Sequence, residues 1–120
     1  NEDQQLIDSD TVLEVEHIFA RRRNEDEPLK NKANLEALGN KAMLEKSVNI
    51  RAADYRFADK KKYYQGFSTD KGKKRGGTQI IELLKLSKTK EDFAENDIEL
   101  RTKAIIDSFI DYLELNNLTK

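Results

Sequence analysis

The chain has no cysteine, one proline (Pro28), one methionine (Met43) and one histidine (His17) among its 120 residues. Without cysteine there are no disulfides, no thiolate chemistry and no cysteine-based zinc site, so any metal must rest on oxygen and imidazole. No apolar run approaches the roughly 20 residues needed to span a bilayer, and no charged-then-apolar leader resembles a signal peptide. A soluble cytoplasmic protein with no membrane partner is therefore expected. Excess charge is missing too: the net charge of -1 makes no global case for nucleic acid, and only local clusters can speak for it. The sole methionine lies inside the chain and the first residue is Asn1, so a piece of a longer protein is expected.

The length suits one domain with a single core. Hydrophobic residues make up 37% and charged residues 38%, so the core must be economical and the surface ionic. Asn1 to Asp10 is polar and acidic, with only Leu6 and Ile7 to bury, and reads as a linker or terminal extension before a domain over 11–120. Val12, Leu13, Val15 and Ile18 form a mostly β-branched cluster that predicts a short strand, with His17 near its end.

The charged stretch Arg21 to Glu27 predicts a loop handing over at Pro28 to a helix with proline in its first turn. Leu35 and Leu38 would give that helix a buried edge, and Gly39 would stop it in a positive-φ conformation. Lys41 to Leu44 predicts a second strand. Ser47 is the expected cap of a helix running through Phe57 towards Tyr64. Gly66, Gly72, Gly76 and Gly77, set among Lys71, Lys73, Lys74 and Arg75, predict a mobile basic loop. Ile80 to Leu86 and then Ile98, Ile105, Phe109 and Leu113 recur near helical spacing and predict two core helices. The fold class is accordingly α+β: a small hairpin crossed by the helix bearing Asn49, supported by three further helical segments.

The segment most suggestive of chemistry is Glu16-His17-Ile18, followed by Leu38-Gly39-Asn40 and by Asn49 nine positions after Asn40. It resembles the motif of the HNH or ββα-metal nucleases, and the asparagine spacing is similar to that in the HNH domain of RNA-guided DNA nucleases. Downstream, Phe57, Lys60, Lys61 and Tyr64, then Phe93, Ile98 and Arg101, resemble one branch, the C-terminal nuclease domain of GmrSD-type, modification-dependent restriction proteins. The resemblance runs from about Val12 to Leu113. It departs from the family where Ala20 stands in place of a usual proline three positions after His17, which loosens a loop without removing a reactive atom.

The resemblance implies DNA as substrate, a preceding sensor or nucleotide-handling domain as partner, and a role in defence against foreign or modified DNA. It also implies a division of labour among the quoted residues. His17 fits a general base, since imidazole titrates near working pH. Glu16 and Asn49 fit oxygen ligands for a divalent ion, Mg2+ or Mn2+ rather than zinc. Asn40 fits an amide that fastens the loop bearing His17 without itself reacting. Arg51, Arg56, Lys60, Lys61, Lys71, Lys73, Lys74 and Arg75 are candidate DNA contacts.

Plainer roles stand beside these. Neighbouring residues on a regular strand face opposite ways, so Glu16 could be a solvated acid; Asn49 could be an exposed residue near a helix start; the lysines could be a solvated face. Glu25, Asp26 and Glu27 would repel phosphates unless they fold away from the DNA. Competing functions are a catalytically silent DNA-binding module on the same scaffold, or a protein-docking surface on the helices from Thr78 to Leu115. Oligomeric state stays open, a homo-oligomer included.

Overall fold

The computed structural model describes residues 11–69 and 71–116; the N-terminal extension expected over 1–10 lies outside them. The predicted strands form an antiparallel pair, β1 (Leu13–His17) and β2 (Lys41–Glu45), in the register Leu13↔Glu45 to His17↔Lys41. Period-two alternation sends Glu14 and Glu16 to one face and Val15 and His17 to the other. Helix α2 (Lys46–Ala52) follows β2 directly, which gives the expected strand, strand, helix order.

Between the strands the chain differs from the sequence reading. Arg21–Asp26 forms a short helix, α1, rather than a loop, and Pro28 starts no helix. Instead Asn31 caps a 3-10 turn at Lys32–Glu36 by accepting from the Ala33 N–H, and a second 3-10 turn covers Leu38–Asn40. Leu38 is largely exposed, so it supplies no buried edge. Nor does Gly39 adopt positive φ. Its role is close approach: a Cβ there would stand 2.0 Å from the Ile98 carbonyl oxygen and 2.5 Å from the Thr102 amide nitrogen.

The single helix expected from Ser47 towards Tyr64 is two, α2 and α3 (Phe57–Gln65). Ser47 does not cap α2, whose N-cap is Glu45. The break falls at Ala53, the one non-glycine residue with positive φ among the described residues (φ 47°, ψ -138°). A residue with a Cβ gives no sequence signal for that turn. The basic glycine-rich segment is not simply a loop but a hairpin, β3 (Gly66–Ser68) with β4 (Lys74–Gly76), pairing Phe67 with Arg75.

Two helices complete the domain, α4 (Ile81–Thr89) and α5 (Glu95–Leu115). The core gathers Ile18, Leu44, Val48, Phe57, Tyr64, Leu83, Phe93 and Ile98. The Phe57 ring lies 6.0 Å from that of Phe93 and 6.4 Å from that of Tyr64, within the range of favourable aromatic contacts. Only the first half of α5 joins this core. Phe109, expected inside, is 60% exposed, because the helix has by then run past the rest of the fold.

Candidate active site

The end of β1, the start of β2, the turn Lys32–Glu36 and helices α2 and α3 enclose an open cleft of about 560 Å³. Its lining includes Glu16, His17, Glu36, Lys41, Asn49, Asp54 and Lys60. Three residues singled out by the motif, Glu16, His17 and Asn49, therefore meet at one place, although they come from two elements.

Asn40 lies behind the cleft, fully buried. Its Oδ1 accepts from the Phe19 N–H at 2.6 Å, and its Nδ2 donates to the Phe19 and Leu35 carbonyls at 3.0 and 2.9 Å. Its own carbonyl accepts from the Ile18 N–H at 2.9 Å. One amide thus ties the segment leaving His17 to the turn entering β2, using donor and acceptor capacity together. Helix α5 holds that turn from outside. Arg101 donates to the carbonyls of Leu38, Gly39 and Lys41 while pairing with Glu82, and Thr102 Oγ1 accepts from the Gly39 N–H.

Glu16 is buried on the core side of β1. Its Oε2 accepts from Tyr64 Oη at 2.6 Å and from Lys60 Nζ at 3.0 Å, and Lys60 also donates to the His17 carbonyl at 2.9 Å. Burial pushes the Lys60 ammonium pKa down against the raising influence of Glu16. Burial, reinforced by the Glu16 charge, holds the Tyr64 hydroxyl well above its ordinary value, so it stays protonated and donating. Lys60, singled out for phosphate, thus has its charge engaged inside the protein.

Asn49 donates its Nδ2 to Glu14 Oε1 at 2.9 Å. A carboxylate only accepts, so Glu14 engages the amide nitrogen and leaves the Oδ1 lone pairs as the remaining chemistry of the group. Among the described residues no hydrogen bond falls on Asn49 Oδ1 or on Glu16 Oε1. These are the two atoms an oxygen-seeking cation would use. No three His, Cys, Asp or Glu side chains converge on a metal position among the described residues, so such an ion would take few protein ligands and keep open positions.

On the other face of β1, His17 Nε2 lies 3.1 and 3.2 Å from the two Glu36 oxygens. Lys41 Nζ sits 3.0 Å and Arg21 Nη2 3.3 Å from the same carboxylate. Lys41 first and His17 second lower the Glu36 pKa to about 2.

The other candidate DNA contacts are dispersed. Arg51 donates to the Gly76 carbonyl and so fastens the β3–β4 hairpin to α2. Arg56 pairs with Glu27. Lys61 is half-buried on α3, whereas Lys71, Lys73 and Lys74 are exposed and Arg75 half-buried on the hairpin.

Glu14, Glu36, Lys41 and Asp54 were not found from the sequence. Glu14 had a usable signal, since it stands two residues before Glu16 and must share its face. Glu36 had none, because its partner is 19 residues away across an irregular segment.

The model of the family described as GmrSD restriction endonucleases, C-terminal domain, matches residues 1–108. The chain belongs to this family. It is therefore a domain of the restriction-endonuclease class, for which DNA is the substrate. No curated protein and no solved structure matches the chain. No helix among the described residues is long and apolar enough to cross a membrane.

Proposed function

We propose that the domain is an HNH-type, metal-dependent DNA endonuclease, the effector part of a cytoplasmic anti-phage restriction protein whose other domains sense the target and gate cleavage. The observation that carries this is the meeting of His17, Glu16 and Asn49 at one cleft, where Asn49 Oδ1 and Glu16 Oε1 take no hydrogen bond from the described residues.

His17 acts as general base: it takes a proton from water while the water oxygen bonds to phosphorus and the bond from phosphorus to the 3' oxygen breaks. Asn40 keeps His17 and the β2 turn in register. Glu16 and Asn49 would hold Mg2+ or Mn2+, an ion that offsets charge on the phosphate and on the departing oxygen. Lys60 and Tyr64 hold the Glu16 carboxylate to one orientation through Oε2. Lys71, Lys73 and Lys74, exposed on the β3–β4 hairpin, and half-buried Arg75 beside them are the favoured DNA contacts, with Lys61, Arg51 and Arg56 as further candidates.

One observation favours a second reading, a silent DNA-binding module: Glu16 already has a cationic partner in Lys60. Plasmid cleavage by the purified domain with Mg2+ or Mn2+, beside His17→Ala and an EDTA control, separates the two. Metal-dependent nicking that His17→Ala abolishes supports the nuclease. DNA binding without cleavage in either metal supports the silent module.

A further inference from the structure

We infer that Glu36 is a positioning residue for His17, pinning the imidazole through Nε2 so that Nδ1 is the nitrogen that takes the proton from water. The inference rests on the nuclease reading above for its catalytic consequence, and on geometry alone for the contact.

The geometry is restrictive. Both Glu36 oxygens lie within hydrogen-bond reach of one ring nitrogen, at 3.1 and 3.2 Å. A carboxylate cannot donate, so Nε2 must carry the hydrogen, and in the neutral ring the lone pair is then on Nδ1. Glu36 is itself held: Lys41, the β2 partner of His17 in the strand register, sits 3.0 Å away, and Arg21 reaches it at 3.3 Å. These cations keep the carboxylate ionised, in keeping with its lowered pKa. They also offset a negative charge that would otherwise face a polyanion across the cleft.

The chemistry explains what such a group does here. The strand fixes only the backbone of His17, and its ring is free to rotate unless something grips it. Outer partners set ring orientation and tautomer for metal-bound histidines, where losing one costs about 10- to 100-fold, and the same grip on a base should have an effect of that order. Glu36 also stabilises the imidazolium formed when water gives up its proton.

The contact and its consequence can be tested separately, because the chain has a single histidine. In metal-free wild-type protein at neutral to alkaline pH, the ring-nitrogen NMR shifts of His17 should report one tautomer, with Nε2 protonated and Nδ1 bare. In Glu36→Ala they should move towards a mixture of the two. In plasmid cleavage, Glu36→Ala should lower kcat about 10- to 100-fold with KM for DNA within about twofold, and Glu36→Gln, which keeps an acceptor, should recover part of the loss. Ring shifts in folded wild type that report a mixture, or that Glu36→Ala leaves unmoved, overturn the inference. So does a Glu36→Ala domain whose kcat is unchanged or raised, since Glu36 would then merely repel DNA or block the base. A wild type that shows the single tautomer but cuts no DNA overturns the nuclease reading and removes the catalytic role, leaving Glu36 as a structural partner only.

Discussion

Replacing Asn40 with aspartate changes one NH2 group to an oxygen at almost constant volume, and the structure sets the cost. The acceptor side survives, because a carboxylate oxygen can still take the Phe19 N–H that Oδ1 accepts at 2.6 Å. The donor side reverses: an oxygen now faces the Phe19 and Leu35 carbonyls, which Nδ2 satisfies at 3.0 and 2.9 Å. Losing two buried hydrogen bonds at about 1–3 kcal/mol each, partly relieved by relaxation, gives about 3 kcal/mol at pH 7. At about 4 °C per kcal/mol for a domain of this size, Tm should fall by about 12 °C. The same energy corresponds to raising the new carboxyl's pKa by about 2 units, from about 3.9 to about 6. The sign follows: the penalty is full above about pH 6 and shrinks as pH falls from there towards about 4, where the protonated acid can donate again. Thermal unfolding of Asn40→Asp and wild type between pH 4 and 8, compared at each pH, measures this. A difference that stays below about 1 kcal/mol at pH 7, or that does not narrow with acid, refutes the role assigned to the Asn40 amide.

Gly39→Ala should be among the most damaging small substitutions. Its Cβ would strike backbone atoms of α5, costing about 1–3 kcal/mol or more by thermal unfolding, whereas Gly76→Ala, with nothing within 4 Å, should be nearly neutral. Lys60→Met leaves the buried Glu16 carboxylate without its cation and should cost about 3–5 kcal/mol, with recovery in Glu16→Gln/Lys60→Met; an unchanged Tm with a raised KM for DNA would instead make Lys60 a phosphate contact. Ala53→Gly should leave Tm unchanged or raise it by a few degrees, since it relieves a positive-φ strain of about 1–3 kcal/mol against the entropy glycine loses, and a clear fall would contradict the backbone described at that position. Glu36 has a folded pKa of about 2 against an ordinary 4.5, so its contribution to stability is present above about pH 4.5 and lost as pH falls towards about 2; Glu36→Gln should flatten acid unfolding over that window.

The parts of the fold that were legible are those where side-chain pattern and backbone demand agree. The β-branched cluster ending at His17 and the apolar spacing through Ile98 both specify an element locally, and both elements are present. The fastening task of Asn40 comes from the family resemblance and from an amide's capacity to donate and accept at once, not from local pattern. The misreadings come from backbone turns that carry no residue signal. Ala53 breaks a helix with an ordinary side chain, and Arg21–Asp26 winds into a helix although its residues are all polar. Gly39 matters not as a positive-φ helix stop but because it makes room for α5, some sixty residues later in sequence. Within the cleft, Glu36 and the burial of Lys60 depend on tertiary placement alone. A lysine in a run of three reads as surface until Phe57 and Tyr64 turn its face of α3 inward.

The grip of α5 on the turn around Asn40 has a consequence for how the protein is made. A ribosome releases the chain from its N-terminus, so His17, Asn40 and Asn49 emerge well before Arg101 and Thr102. Until those two arrive, the carbonyls of Leu38, Gly39 and Lys41 lack the guanidinium that holds them, and the Gly39 N–H lacks its acceptor. The cleft therefore reaches its finished shape only after Arg101 and Thr102 have joined it. Assembly of this domain thus runs from motif to brace, the residues of the cleft first and the helix that supports them after.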